Sequence, residues 1–460
     1  MAPDEAYYWV WSHALAPGYL DHPPMVALWI RAGTLLAGEG NFGVRLLGPF
    51  AAALGTVLLV RAGDDLLPGR GAGLRAAVLM NATLLFAVGA TTMTPDTPLL
   101  LFWTMTLWAL ARLHATGRGH WWLVAGVAAG LALDSKYTAA LLAPAILLWL
   151  AAVPAMWVWL RRWQPYAAGL LAFAVFSPVL LWNAAHDWAS FEKQGGRAGD
   201  WQPTRALQFL GELIGGQLGL ATPLVAVICG AGLVLAVRRA WRRDAAWTLL
   251  AGFTALPAAI LVQHALGDRV QANWPAILYP AAAIAAAGLG RRWQRLFAPA
   301  AILGFALTAV VWIQAIAAPL ALPMMQDPTL LRLGGWQQLA TEIDATARAQ
   351  GAGFIAVDNY GIAALMARLA PRGDVVLGAE PRWSLFNLPD AGAVIDGQPG
   401  LLVRSARRDD HPDPSRWAEI TPLAGLTRAR NGMTAESFRL YRVVGRPGDA
   451  TIVVLPRPQE

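Results

Sequence analysis

Cysteine and lysine are almost absent from this sequence. Cys229 is the only cysteine among 460 residues, so the chain has neither a disulfide framework nor a thiolate metal site. Lys136 and Lys193 are the only lysines, and the formal charge of +7 therefore comes almost wholly from arginine. No nucleic-acid motif, aromatic platform or basic stripe accompanies the arginines, which argues against a nucleic-acid partner.

Charge of either sign is also scarce. Asp, Glu, Lys and Arg make up 14% of the chain and hydrophobic residues 56%, whereas about 25% of a soluble domain is charged. Apolar runs that approach or reach the length of a bilayer span, about 17 to 25 residues, predict an all-α polytopic membrane protein with about ten spans. These runs lie near residues 44–60, 74–93, 96–113, 120–134, 137–157, 165–182, 206–237, 245–263, 273–290 and 296–318.

Arginines cluster in every second connection between these runs, as in the pairs Arg161-Arg162 and Arg238-Arg239. The positive-inside rule makes those connections cytoplasmic. The alternate connections, the opening segment and the tail are then expected outside. The tail has the composition of a soluble domain, with a helical pattern in TEIDATARAQ and strand patterns in FIAVD, VVLG and TIVVL, which predicts a small C-terminal α/β periplasmic domain.

The predicted organisation has three parts: residues 1–43 form an extracytoplasmic loop with interfacial helices, 44–320 the transmembrane helical domain, and 321–460 the soluble periplasmic domain. The outward-facing segment 1–43 has no preceding span to carry it across the membrane, and residues 1–25 lack the pattern of a signal peptide. We therefore expect a missing first helix upstream. The alternatives are a short head translocated by the first span, or a product that is inactive or misinserted.

Ionisable side chains converge on the outward face, where sinking towards hydrocarbon is costly and a functional role is the default hypothesis. The opening DEAYYW places Asp4 and Glu5 ahead of an aromatic cluster. A carboxylate there could accept a proton from a hydroxyl group. The alternative is an acidic helix N-terminus above an aromatic interfacial belt.

Further outward-facing groups follow along the chain. GYLDHPPM places Asp21 and His22 before a rigid Pro-Pro turn, where His22 could contact a phosphate and Asp21 could hold a divalent metal or orient His22. A helix cap is the alternative interpretation. Asp96 lies at the mouth of a span and could be catalytic or a cap. Lys136 could bind a lipid phosphate or extend its ammonium to the headgroups.

Taken in chain order, DEAYYW, GYLDHPPM, PDTP, SKYT, WNAAHDWASF and ANWPA resemble the bacterial GT-C glycosyltransferases of the dolichyl-phosphate-mannose protein mannosyltransferase type, which include the lipid A aminoarabinose transferase. The resemblance covers about residues 3 to 290. It implies a membrane enzyme that moves a sugar from a polyprenyl (undecaprenyl) phosphate to an acceptor hydroxyl at the outer face of the bacterial inner membrane, with inversion.

The resemblance also implies roles for particular residues. Asp4 matches the family's loop acid, the expected general base, with Glu5 beside it, and Asp96 matches a second acid. His22 stands where relatives carry lysine, and an imidazole is only partly charged at neutral pH.

The remaining implied donor-phosphate contacts are Lys136, Arg269 and Tyr279. A divalent metal at Asp21 is left open. The expected partners are a polyprenyl-phosphate-linked sugar, a lipid, glycan or protein acceptor, and membrane lipids. The alternative function is a transporter or flippase of lipid-linked sugars, which would place charged sites near the middle of the spans.

Overall fold

The computed structural model describes residues 1–196, 201–371, 373–446 and 451–458. They belong to two compact units. The helical unit comprises Pro17–Val26 and Leu47–Val310, and the mixed unit comprises Met1–Ala16, Ala27–Leu46 and Val311–Glu460.

Helices dominate the first 316 residues. In chain order they are α1 (Pro3–His13), α2 (Met25–Ala37), α3 (Asn41–Arg45), α4 (Leu47–Leu66), α5 (Ala72–Asn81), α6 (Leu84–Ala87), α7 (Asp96–Thr116), α8 (His120–Ser135), α9 (Leu142–Ala152), α10 (Gln164–Ala185), α11 (Ala189–Gly196), α12 (Ala206–Leu220), α13 (Pro223–Ala240), α14 (Ala245–Ala265), α15 (Tyr279–Ala287), α16 (Arg291–Gln294) and α17 (Phe297–Ile316).

The remaining elements alternate between helix and strand. The helices are α18 (Pro328–Arg332), α19 (Trp336–Ala349), α20 (Tyr360–Leu369) and α21 (Gly392–Ile395). The strands are β1 (Ile355–Val357), β2 (Val376–Gly378), β3 (Pro399–Ser405), β4 (Trp417–Arg430), β5 (Met433–Gly445) and β6 (Val453–Val454).

Within the described ranges, five helices are long and apolar enough to cross a membrane. They are Asn41–Leu66, Gln164–Ala185, Pro223–Ala240, Ala245–Ala265 and Arg291–Ile316. Counting two bent helix pairs as one span each raises the number to seven. This pattern supports a multi-pass helical protein, but the expected count of ten spans is not confirmed.

The apolar run predicted as one span over 206–237 is two helices. Helix α12 ends at Leu220 and α13 begins at Pro223, with Thr222 at φ 64° and ψ 145° between them. A residue that precedes proline is disfavoured in the helical region, and proline is well suited to the first turn of a new helix. The break therefore has a local cause that hydrophobicity alone did not indicate.

Small residues let the helices of the helical unit approach closely, as is common in membrane bundles. A Cβ atom added at Gly126 of α8 would lie 2.4 Å from the carbonyl oxygen of Ala168 in α10. At Gly232 of α13 it would lie 2.6 Å from the backbone nitrogen of Ala286 in α15. Any larger side chain at these two glycines would push the helices apart.

The mixed unit contains a six-stranded sheet in the order β4-β5-β3-β1-β2-β6. Strand β1 runs parallel to β2 and β3, whereas the pairs β3/β5, β4/β5 and β2/β6 are antiparallel. The predicted strands in FIAVD, VVLG and TIVVL are β1, β2 and β6, and the predicted helix is α19. The expectation of a small C-terminal α/β fold is thereby confirmed.

Helix α1 packs within the mixed unit. The Tyr7 ring lies 4.5 Å from that of Tyr360 at the start of α20 and 5.5 Å from that of Trp383. A Cβ atom at Gly361 would lie 2.8 Å from the Cβ atom of Pro3, so α20 needs glycine there to approach α1. The opening acidic segment is thus supported by residues from the C-terminal part of the chain.

Candidate active site

Asp4 lies in the first turn of α1 with its side chain 46% exposed. The Tyr360 hydroxyl donates a hydrogen bond to Asp4 Oδ1 over 3.3 Å. Arg332 Nη1 lies 3.9 Å from Asp4 Oδ2. The carboxylate is therefore oriented by two residues of the mixed unit and stays accessible to solvent, which suits a group that must accept a proton.

Glu5 has a different environment from its neighbour, because its side chain is only 1% exposed. Arg45 donates to both carboxylate oxygens, from Nε to Oε1 over 2.7 Å and from Nη2 to Oε2 over 2.5 Å. The backbone N–H of Ala2 donates to Oε2 over 3.0 Å, which caps the start of α1. This bidentate pair fixes the end of the helix that carries Asp4.

A second set of contacts involves Trp9, further along α1. The indole Nε1 of Trp9 donates to Glu39 Oε2 over 2.7 Å. The Arg368 guanidinium lies 4.6 Å from the centre of the Trp9 ring and donates to the backbone oxygen of Glu39 over 2.7 Å. Burial lowers the pKa of Arg368 to about 10, which still leaves the guanidinium charged at neutral pH and able to interact with the indole face.

In the helical unit, Asp96 and Lys136 form a nearly buried ion pair. Lys136 Nζ lies 2.7 Å from Asp96 Oδ1, and the Lys136 and Asp96 side chains are 8% and 16% exposed. Asn273 Nδ2 donates to Asp96 Oδ2 over 2.6 Å. The N-cap residue of α7 is Pro95, so the Asp96 carboxylate binds these two side chains rather than capping its helix.

Asp21 pairs with the other lysine of the chain. Lys193 Nζ lies 2.5 Å from Asp21 Oδ1, and Gln194 Nε2 donates to the Asp21 backbone oxygen over 2.7 Å. His22 follows in the same segment and is half-buried. The segment packs closely on α10, since a Cβ atom at Gly18 would meet the Trp182 ring at 2.8 Å.

These contacts bear on the expected metal at Asp21. Within the described ranges, no group of three or more His, Cys, Asp or Glu side chains could hold a metal ion. The ammonium of Lys193 supplies positive charge where a cation would otherwise bind Asp21. These contacts do not favour a divalent metal at Asp21, which stays a prediction from the sequence.

The last two expected donor-phosphate residues lie elsewhere in the helical unit. Arg269 is 64% exposed and places Nε 2.8 Å from Glu212 Oε2. Tyr279 begins α15, is buried, and donates its hydroxyl to Gln217 Oε1 over 3.2 Å. Each has an acidic or amide partner that a phosphate would have to displace or share.

Sequence reasoning missed several side chains that hold the candidate residues. Lys193 carried a usable signal, because it is one of two lysines and follows closely on WNAAHDWASF. Arg45 sits among apolar residues at a span end and gave no such signal. Tyr360 and Arg332 lie more than 300 residues from Asp4, and no local pattern connects them.

Comparison with known proteins agrees with this architecture. Residues 21–182 match the family model described as dolichyl-phosphate-mannose-protein mannosyltransferase. A lipid A galacturonosyltransferase, RgtD of Rhizobium johnstonii, is 31% identical over 188 residues. That alignment covers 40% of this chain and 38% of the length of the curated relative.

The fold resembles ArnT from Cupriavidus metallidurans. Its crystal structure bound to undecaprenyl phosphate matches with a TM-score of 0.58 and 14% identity over 92% of this chain and 88% of that chain. The apo structure matches over the same shares with a TM-score of 0.56 and 15% identity. At such identity the likeness concerns the fold.

The family likeness therefore rests on residues 21–182 and on a partial alignment to RgtD, whereas the solved structures show a similar fold alone. RgtD is described as a lipid A galacturonosyltransferase, and one of the matching ArnT structures holds undecaprenyl phosphate.

Proposed function

We propose that the chain is an integral-membrane glycosyltransferase that moves a sugar from undecaprenyl phosphate to an acceptor hydroxyl at the outer face of the inner membrane. One observation carries the proposal: Asp4, the family's loop acid by motif, has an accessible carboxylate held by Tyr360 and Arg332. The undecaprenyl phosphate bound to the matching ArnT and the lipid A substrate in the name of RgtD support a lipid-linked donor and a lipid or glycan acceptor.

The reaction is a single displacement at the anomeric carbon. Asp4 accepts the proton of the acceptor hydroxyl as the oxygen forms a bond to that carbon. The bond between the anomeric carbon and the phosphate oxygen breaks, and the polyprenyl phosphate leaves with the electron pair. One displacement inverts the anomeric configuration. Because phosphate is a good leaving group, positioning of donor and acceptor supplies much of the rate enhancement.

Positive groups of the helical unit stabilise the charge that develops on the departing phosphate. Lys136 is the strongest candidate because its ammonium is almost buried and held by Asp96. His22 and Arg269 are further candidates, and Tyr279 would have to turn its hydroxyl from Gln217 towards the phosphate. In this scheme Asp96 orients Lys136, and Asn273 holds the Asp96 carboxylate in place.

Glu5 has a supporting role in this proposal. Arg45 and the Ala2 N–H already engage both of its oxygens, so taking a proton would weaken the ion pair that holds the start of α1. We therefore assign proton transfer to Asp4 and anchoring of the helix to Glu5.

The proposal is tested with purified full chain in liposomes that contain undecaprenyl phosphate carrying a radiolabelled sugar, with lipid A as acceptor. Labelled lipid A whose new linkage has the anomeric configuration opposite to that of the donor is the expected product. Transfer with retention would exclude a single displacement. Exchange of the donor between leaflets, without transfer to lipid A or to other glycan and protein acceptors, would instead indicate a flippase.

A further inference from the structure

A polar cavity lies in the mixed unit at the carboxyl ends of the parallel strands β1 and β2. Its volume is about 220 Å³, and its lining includes Asp358 directly after β1 and Glu380 shortly after β2. The carboxyl ends of parallel strands are the usual ligand-binding edge of α/β sheets. The cavity is smaller than the pockets of about 300 to 1,000 Å³ that hold drug-sized molecules, so it suits a ligand the size of one sugar ring.

Asp358, in the lining of this cavity, has one carboxylate oxygen without a hydrogen-bond donor among the described residues. Its Oδ2 accepts a hydrogen bond from Arg404 Nε over 2.5 Å, whereas its Oδ1 is buried and has no hydrogen-bond donor within the part of the chain that the structure describes. Burial raises the pKa of Asp358 despite the nearby guanidinium groups of Arg404 and Arg408. A buried acceptor without a donor is costly, and a ligand hydroxyl would satisfy it.

Arg408 presents the complementary donor. Its Nη1 donates to the Asp358 backbone oxygen over 2.8 Å and its Nε to Asp410 Oδ1 over 3.3 Å. Its Nη2 has no acceptor among the described residues, and the side chain is 43% exposed. An acceptor on Asp358 and a donor on Arg408 therefore lie close together in one cavity wall.

The charges of the lining select among ligands. Three arginines and four carboxylates line the cavity; they are Arg404, Arg408, Arg416, Asp358, Glu380, Asp410 and Asp413. Arginine and carboxylate groups are nearly balanced, so a strongly anionic ligand such as phosphate meets repulsion from the acids. A hydroxyl group donates one hydrogen bond and accepts another, and adjacent hydroxyls can serve Asp358 and Arg408 together.

We propose that this cavity binds a neutral hexose ring, with one hydroxyl donating to Asp358 Oδ1 and a neighbouring hydroxyl accepting from Arg408 Nη2. The inference stands on the mixed unit alone and does not depend on the proposed transfer reaction. If that reaction is correct, the site offers a place for a glycan portion of the acceptor.

Ligand-observed NMR with the full-length protein in detergent tests the proposal, with methyl α-D-glucopyranoside as probe. We expect a dissociation constant on the order of 1 mM, as suits a ligand of this size, and weaker binding of galacturonate and of inorganic phosphate. Asp358→Asn replaces a charged acceptor by an amide and should weaken binding about tenfold. Asp390→Asn, at an exposed carboxylate of the same unit outside the lining, should leave it unchanged.

Arg408→Gln provides a second variant, because its half-exposed side chain can change without opening the core. It should also weaken glucoside binding while the melting temperature stays within a few degrees of the wild type. Phosphate binding more tightly than the glucoside would overturn the proposal. So would equal glucoside binding by the wild type and Arg408→Gln, or no glucoside binding at about 100 times the expected dissociation constant. None of these results depends on sugar transfer, which is measured separately.

Discussion

The hydroxyl of Tyr360, at the start of α20, donates a hydrogen bond to the Asp4 carboxylate at the start of α1 over 3.3 Å. The ring of Tyr360 is held independently by Tyr7 at 4.5 Å and by the Arg382 guanidinium at 3.9 Å. The C-terminal part of the chain therefore takes part directly in orienting the candidate base. A purely separate, substrate-selecting role for that part would not require this contact.

Tyr360→Phe tests the positioning role, because it removes the hydroxyl and keeps the packed ring. We expect kcat to fall about three- to tenfold, as for loss of one hydrogen bond, with KM for donor and acceptor unchanged. In an Asp4→Asn background the same change should have no further effect, since the two residues act as a unit.

Tyr441→Phe is the matched control, a hydroxyl deletion in the sheet core of the same unit. It should leave kcat unchanged. Additive effects of Tyr360→Phe and Asp4→Asn would show that Tyr360 acts on something other than Asp4.

Breaking the Glu5–Arg45 ion pair is expected to lower the stability of the protein. Arg45→Met would leave the buried Glu5 carboxylate without its counter-charge, and we expect the free energy of unfolding to fall by about 3 to 5 kcal/mol. Glu5→Gln retains an acceptor oxygen for Arg45 and should destabilise less. Thermal unfolding and kcat per folded molecule separate the two effects. A fall in kcat for Glu5→Gln as large as that for Asp4→Asn would move proton transfer to Glu5.

Lys136 is expected to act on the donor. Lys136→Met removes a nearly buried ammonium, and we expect the donor KM to rise about tenfold or more while the acceptor KM stays constant. Arg112→Met, which breaks the 2.9 Å ion pair with Asp65 towards the other end of α7, is the control and should not change the donor KM. An increase confined to the acceptor KM would contradict donor binding by Lys136.

The contacts of Asp327 predict that the mixed unit loses stability in acid. Burial alone would raise the pKa of its carboxyl group, but hydrogen bonds from Thr329, Gln314 and the Leu330 N–H, with the charge of Arg430, lower it to about 2. The ordinary value in an unfolded chain is about 3.9. The stabilisation is therefore complete above about pH 4 and is lost as the pH falls towards 2.

Melting temperatures measured between about pH 5 and pH 2 test this linkage. The wild type should lose stability steeply over that interval, and Asp327→Asn should lose less because it has no proton to bind. Parallel curves for the two proteins would show that Asp327 does not carry the effect.

Local sequence patterns predicted the elements that depend on local physics. Strands β1, β2 and β6 and helix α19 follow hydrophobic patterning, and the apolar helices follow composition. The long hairpin of β4 and β5 was missed although Asn431-Gly432 lies at its turn, where both residues have positive φ. This dipeptide is a strong hairpin signal. Strand β4 is largely exposed, however, so hydrophobic patterning did not indicate it.

The candidate site was only partly accessible to the same reasoning. Motifs selected Asp4, Asp96 and Lys136 because each stands at a recognisable position beside an apolar run. They could not predict that Lys136 would pair with Asp96, 40 residues away, or that Tyr360 would reach Asp4 across 356 residues. Such pairings follow from tertiary packing, which hydrophobic periodicity does not encode.

The most direct measurement compares sugar transfer by the wild type and Asp4→Asn at equal membrane abundance. Both proteins are reconstituted with radiolabelled undecaprenyl-phosphate sugars and lipid A, and binding of the labelled donor is measured alongside transfer. We expect Asp4→Asn to bind the donor as the wild type does and to lose transfer by about a hundredfold or more, the usual contribution of a general base. Equal transfer by the two proteins would contradict the assignment of Asp4 as the base.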